Sequence, residues 1–412
     1  MKVRVNFIKI YAYVIALVVI SRSFSTKIFT SNTIEMVAIG IVTLLGLTKT
    51  RKSNSIVDFI WLLMPLMFIF NHNRTYSLLF IIIFLSATCA RYIFRTQIHA
   101  VEILLDIMLI FSIITSVVTW ISVISPEFYT SSIVPFLDSA SKDEILRELN
   151  QGNLCGLTTH YSRNAYYVVS GLIILLSRIW GSGKTRTVNL TWYILMIFET
   201  ITLLAIGKRG HLLFWLVALY IIYMLMQKNA FDKLKKSFKF IIIVVVIGLA
   251  IFYFLPDARH TFERFFIEAG SDDFSNGRLK NYAIAMNVFR SKPIFGIGIG
   301  GFRALTNNVY SGVHNDYIQF LCETGIIGFV LFVGLEVFSL YEAGSLLRKT
   351  INDSVLNKQM KTILIWSMFL QVFVFFYAFT GLPHFDYEIN TVYFIACAVP
   401  SGIKYKIKKD SQ

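Results

Sequence analysis

Apolar runs of about 18 residues or more, set apart by short charged segments, recur along the whole chain. In lipid, such a run is stable as a helix because its backbone groups bond one another. With 56% of its 412 residues hydrophobic and only 15% charged, the chain is excluded from the water-soluble class. The expectation is an all-α polytopic integral membrane protein, a single membrane domain over residues 1–412. About twelve transmembrane helices are expected, at 6–24, 33–48, 56–71, 76–93, 100–124, 163–179, 189–206, 210–227, 239–255, 325–346, 362–380 and 389–403. The first run follows Lys2 and Arg4, but no small-x-small cleavage site follows it, so it reads as a retained helix.

Twelve spans put both termini on one side, and lysine and arginine fix which side. Cations crowd one set of loops, among them Lys49, Arg51, Lys52, Arg178, Lys184, Arg186, Arg348, Lys349 and Lys404. The opposite short loops hold only Arg22, Lys27, Arg74, Lys208 and Arg209, so both termini are expected in the cytoplasm. The formal net charge of +15 is then a retention signal and a contact with anionic lipid, not a nucleic-acid surface.

Two outward loops are too long to be connectors: 125–161 and 255–324. The cytoplasmic loops hold no Walker pattern, so ATP-driven work is not expected. Asp272 and Asp273 read as a solvated turn or cap, so neither metal nor cofactor is expected. Cys155 and Cys322 lie on the outer side with no spacing pattern that pairs them.

Chemistry concentrates in the second long loop. From Arg278 to Arg290, Leu279, Tyr282, Ala283, Met286 and Phe289 recur at helical spacing, which predicts an amphipathic helix on the membrane surface with Arg278 at its entrance. Pro293 ends it, and the run FGIGIGGF then needs close backbone approach to a ligand or a neighbouring helix. A second helix is predicted to begin near His314, with Asn315, Asp316, Gln319 and Glu323 on one polar face. A histidine beside free backbone N–H groups suits an anion, and the positive helix end keeps its ring neutral. Lys208 and Arg209, in the short outward turn IGKRGH, run against the charge bias. They are either snorkelling cations or a grip on a phosphate.

The segment RLKNYAIAMNVFRSKPIFGIGIGGF followed by HNDYIQFLCETGIIG resembles the O-antigen ligase and O-antigen polymerase family of bacterial membrane glycosyltransferases. That family shows an arginine opening an amphipathic helix, a PxxGxGxGxF run and an HNxxLQxxxExG pattern. The resemblance implies metal-independent glycosyl transfer outside the cytoplasm, in the bacterial inner membrane, from a glycan on an undecaprenyl-diphosphate carrier. It implies that Arg209 and Arg278 hold the pyrophosphate and that His314 sits at the reaction centre, as general base or phosphate ligand. Lys208, Lys280, Asn315, Glu323 and Arg163 are the expected substrate-binding residues. Membrane lipid, a chain-length regulator and a flippase of the same pathway are the further partners expected; nucleic acid is not. In the first loop, GLTTHYSRNAYY more loosely resembles a family pattern in which Gly156, His160, Arg163 and Asn164 line the substrate path. His160, Tyr161 and Arg163 read equally well as interface anchors of the sixth span.

Between the two family activities the expectation is a polymerase, because no added segment reads as a receiver for a protein or lipid core. The alternatives are a ligase and, from Glu102, Asp106, Glu199 and Glu336 within predicted spans, a flippase or transporter.

Overall fold

The computed structural model describes residues 7–21, 60–61, 74–137, 142–181, 190–227, 235–240, 242, 246, 278–306, 312–350 and 356–410. The spans predicted at 33–48 and 239–255, most of that at 56–71, and Asp272 and Asp273 lie wholly or largely outside these residues. Every regular element among the described residues is helical. The principal ones are α1 Phe7–Ser21, α2 Arg74–Thr96, α3 Val101–Ile124, α4 Lys142–Asn150, α5 Tyr161–Gly181, α6 Leu190–Ile206 and α7 Arg209–Leu225. They continue as α8 Arg278–Ser291, α9 Gly301–Leu305, α10 Asp316–Thr350, α11 Lys358–Tyr377 and α12 Tyr387–Asp410. Among the described residues, three stretches, Ile98–Ile124, Asp316–Thr350 and Lys358–Tyr377, are long and apolar enough to cross a membrane, and shorter apolar helices accompany them. This is the all-helical architecture of a multi-pass membrane protein.

α5 lies at the centre, packed against α3, α6, α7 and α11. Its residues from Asn164 to Ser177 are all buried, so it is covered on every side. Small residues permit that approach: a Cβ on Gly171 would lie 2.1 Å from the Ser112 hydroxyl of α3. Close backbone contact of this kind gives membrane helices their attraction, because lipid supplies no hydrophobic drive between them.

The two ends of the bundle differ. At one end Arg178 pairs with Asp106, Lys406 with His99, Gln359 with Glu102 at 3.3 Å and Lys404 with Glu342 at 3.0 Å. This is the cation-rich end, expected to face the cytoplasm, and it holds both acids that α3 carries in its first turns. At the opposite end, the start of α5, the α6–α7 turn, the approach to α10 and the α11–α12 loop come together.

The segment after Arg209 bears the candidate chemistry. α8 begins at Arg278 and buries Asn281 and Ala285 against α10. The predicted span at 325–346 is the second part of α10, because Gly325 breaks the helix with φ 64° and ψ −169°. What precedes Gly325 is a separate short helical stretch, 316–324, and the glycine run after Pro293 lies against its end. Gly298 N–H donates to Glu323 O at 2.8 Å and Ile326 N–H to Pro293 O at 2.8 Å. The close approach expected of these glycines is therefore made to a neighbouring helix. Gly296 shows why glycine is required: its φ is +66°, and a Cβ there would lie 2.4 Å from the Glu323 carbonyl carbon.

Candidate functional site

His314 is held by its backbone in an unusual state. Among the described residues it is the one non-glycine with positive φ, at 61°. An L-residue there is strained by about 1–3 kcal/mol, and such strain persists only where the surroundings over-determine it. They do so here. Asn315 Oδ1 accepts the Ile318 N–H at 3.1 Å, capping the helix, and its Nδ2 donates to Phe379 O at 3.1 Å. Asp316 N–H donates to Ala378 O at 2.9 Å, and Tyr317 Oη to Phe375 O at 2.8 Å. The turn carrying His314 is thus stitched to the end of α11, and its side chain is left exposed. Tyr282 of α8 approaches the His314 carbonyl at 3.5 Å.

Two cations act on that histidine. Crowding by neighbouring protein, then the charges of Arg278 and Lys208, holds His314 below the ordinary histidine pKa. Lys208 Nζ lies 3.2 Å from Tyr161 Oη and 4.4 Å from the centre of that ring. Arg209, half-buried, opens α7 in the next position. The α6–α7 turn sits beside the α11–α12 loop, where a Cβ on Gly210 would meet Thr380 Oγ1 at 3.3 Å. Fixed positive charge suits a phosphorylated substrate, and a neutral imidazole beside it suits a second substrate that must surrender a proton.

His160 belongs to the same neighbourhood. Burial first, then Lys208 and Arg163, depress it to about 4. Its Nδ1 accepts the Ser162 N–H at 3.0 Å, so the neutral ring carries its proton on Nε2, which faces Glu148 at 3.8 Å. Glu144, Glu148 and His160 bring three possible metal-donor atoms within 4.8 Å of one another. A protonated ring nitrogen cannot ligate, and Glu148 Oε2 already accepts from Asn153 at 2.6 Å, so the trio fits a hydrogen-bonded brace.

The structure does not treat all the sequence-predicted residues alike. Arg278, Lys208 and His314 are brought together, with Arg209 adjoining. Lys280 is exposed on α8, two residues beyond Arg278. Asn315 serves as a cap. Glu323 is fully buried, one oxygen accepting from Gly300 N–H at 2.9 Å and the other from Phe302 N–H at 3.1 Å. It braces the glycine run. The polar face predicted over Asn315, Asp316, Gln319 and Glu323 therefore points inward, all four being buried. Arg163 is committed within the protein, with Nε 2.8 Å from Glu388 Oε1 and a η-nitrogen 2.8 Å from Thr159 Oγ1. Asn164 commits its amide to Thr115, Thr119 and Leu154 O. It fastens α5 to α3. Cys155 and Cys322 are both free thiols.

Residues the sequence did not single out complete this end of the bundle. His211, on the turn after Arg209, is fully buried against Tyr377, ring centres 4.3 Å apart, and Tyr377 Oη approaches Ser162 Oγ at 3.5 Å. His384 lies between Asp316 and Glu336. The signal for the last was available: PHFDYE is a polar island between two apolar spans. The membrane acids are similarly engaged, Glu199 accepting from Ser116 Oγ at 2.8 Å and Glu336 from Tyr393 Oη at 3.2 Å.

Residues 193–333, about a third of the chain, match the Wzy_C family model, described as O-Antigen ligase. The match takes in Lys208, Arg209, Arg278, the glycine run and His314. Members of that family are membrane glycan ligases and polymerases, and lipid-linked glycans are their substrates. No curated protein matches the chain.

Proposed function

We propose that this protein is a polysaccharide polymerase that transfers a glycan from undecaprenyl diphosphate to the next lipid-linked repeat unit, without metal, on the extracytoplasmic face of the bacterial inner membrane. The observation that carries the reading is His314, strained and exposed, beside Arg278 and Lys208 within the matched segment. In the reaction an acceptor hydroxyl oxygen attacks the anomeric carbon. The bond from that carbon to the phosphate oxygen breaks, and its electron pair leaves with the undecaprenyl diphosphate. Arg209, Arg278 and Lys208 hold the diphosphate and stabilise the charge that develops on it, and such preorganised cations are the largest expected contribution. His314, neutral, takes the proton of the acceptor hydroxyl. Inversion at the anomeric carbon is expected.

A second reading is favoured by the description of the matching family: a ligase, which moves the glycan to a lipid-core or protein acceptor. The two share the diphosphate grip and differ in the acceptor. Purified full-length protein given one synthetic undecaprenyl-diphosphate repeat unit as sole sugar substrate, without metal or nucleotide, separates them. A ladder of products supports the polymerase. Transfer only after a candidate lipid or protein acceptor is added supports the ligase, and no transfer in either case overturns both.

A further inference from the structure

We propose that His384 is a positioning residue for the reaction, fixing His314 through Asp316. The inference rests on the reading that His314 lies at the reaction centre. Asp316, His384 and Glu336 are each fully buried. Asp316 Oδ2 accepts from His384 twice, from the ring Nδ1 at 2.7 Å and from the backbone N–H at 3.1 Å. On the other side of the ring Nε2 lies 3.2 Å from Glu336 Oε1, a charge contact that is not aligned as a hydrogen bond. Phe332 and Tyr393 meet the ring edge-on, each with centres 4.8 Å apart, so it has little room to turn.

Two buried carboxylates around one imidazole call for a cation. Asp316 Oδ1 and Glu336 Oε2 have no hydrogen-bond partner, so His384 is the main compensation for both. Burial works against the charged ring, but Glu336 and Asp316 outweigh it and leave His384 above the ordinary histidine pKa.

A buried ion triad is a weak source of stability, since desolvation offsets most of its attraction; its better-attested use is to fix one arrangement. Here the fixed arrangement ends two residues from His314. Asp316 binds His384 by its side chain and Ala378 O by its backbone, while Asn315 binds Phe379 O, so the turn at φ 61° is clamped from the α11–α12 loop. Without the clamp, His314 can relax to an ordinary backbone state and its ring leaves the position facing the cations. Transfer chemistry is sensitive to such a shift; diphosphate capture, which depends on Arg209 and Arg278, is much less so.

The test uses full-length protein in detergent and the lipid-linked repeat unit, with two variants beside the parent. His384→Gln breaks the charge pairing. A triple variant, Asp316→Leu, His384→Leu and Glu336→Gln, removes the whole triad while leaving no unpaired charge, so that a folded protein is available should the single variant not fold. Transfer rate is measured at saturating donor, KM separately, and His314 exposure by the rate of its modification by diethyl pyrocarbonate. The expected result is a fall in kcat on the order of 10- to 100-fold with KM changed little, together with altered His314 reactivity. Parental kcat and parental His314 reactivity in a folded variant overturn the proposal. His314→Ala is run in parallel. If it transfers normally, the reading of the reaction centre fails as well; if it is inactive while the triad variants are normal, only the present proposal fails.

Discussion

Glu323 accepts the Gly300 N–H at 2.9 Å with one carboxylate oxygen while the other accepts from Phe302. A buried acid therefore holds the far end of the glycine run, 23 residues earlier in the chain, to the helix that follows His314. Burial holds Glu323 up at about 8, so the cost of losing one acceptor is that of a buried N–H left without a partner, about 1–3 kcal/mol. Glu323→Gln keeps one acceptor and loses the other, so it is expected to destabilise the protein by about 2 kcal/mol. Transfer per folded molecule and donor KM should stay near parental values. Thermal unfolding in detergent, paired with kinetics on the folded fraction, reads the two separately; a raised KM with unchanged stability would return Glu323 to the substrate.

The same seam makes a prediction about its glycines. Gly296 and Gly325 both have positive φ, and a Cβ on Gly325 would lie 2.3 Å from the Ile294 carbonyl oxygen. Alanine at either position meets backbone, which cannot swing aside, and adds left-handed strain of about 1–3 kcal/mol. At Gly334, by contrast, a Cβ would have nothing within 4 Å. Gly296→Ala and Gly325→Ala should lower folded yield sharply, while Gly334→Ala should be neutral or mildly stabilising. Fluorescence-detected size-exclusion of the three variants is sufficient to rank them.

Helix positions were legible because lipid imposes so simple a rule: long apolar runs such as 100–124 and 189–206 can only be helices, and they appear within a few residues of those bounds. Arg278 opening its helix followed from periodicity, and the break ahead of the predicted span at 325 coincides with Gly325. The inward turn of Glu323 was not legible. A periodic polar face says that residues share a side, not whether that side meets solvent or the backbone of a glycine run. The partner of Arg163 was not legible either, since Glu388 lies over 200 residues away, just ahead of the span that hydropathy places at 389–403. Nor does sequence reveal that His314 has a left-handed backbone, because that state is imposed by Phe379 and Ala378 from another helix end.

The Arg163–Glu388 pair is open to a test of its own. Glu388 is 1% exposed, and removing the guanidinium leaves a buried carboxylate without its compensating charge. Arg163→Ala should cost about 3–5 kcal/mol. Adding Glu388→Gln to it should recover a large part of the loss, because the charge that needed compensation is gone. A residue that served only to bind substrate would show neither the loss nor the recovery in a thermal melt without donor.

The pH dependence of transfer distinguishes the two roles open to His314. Its pKa lies below the ordinary 6.5, held there by crowding and by Arg278 and Lys208. As a base it works only when neutral, so kcat/KM should fall on acidification with a midpoint below 6.5. As a cation on the phosphate it works only when protonated, and the same profile would rise on acidification. Removing one of the surrounding charges sharpens the test: Lys208→Ala lets the His314 pKa rise, so the acid limb should move to higher pH. The profile must be taken on kcat/KM, which reports the free enzyme, because a bound diphosphate would itself raise the value. His160 adds a stability term of the same sign. Its folded pKa of about 4 lies below the unfolded value near 6.5, so the unfolded chain binds the extra proton between those values and stability falls as pH falls through that window. Activity must therefore be normalised to folded protein at each pH, and the kinetic limb should persist after that normalisation in the parent and shift in Lys208→Ala.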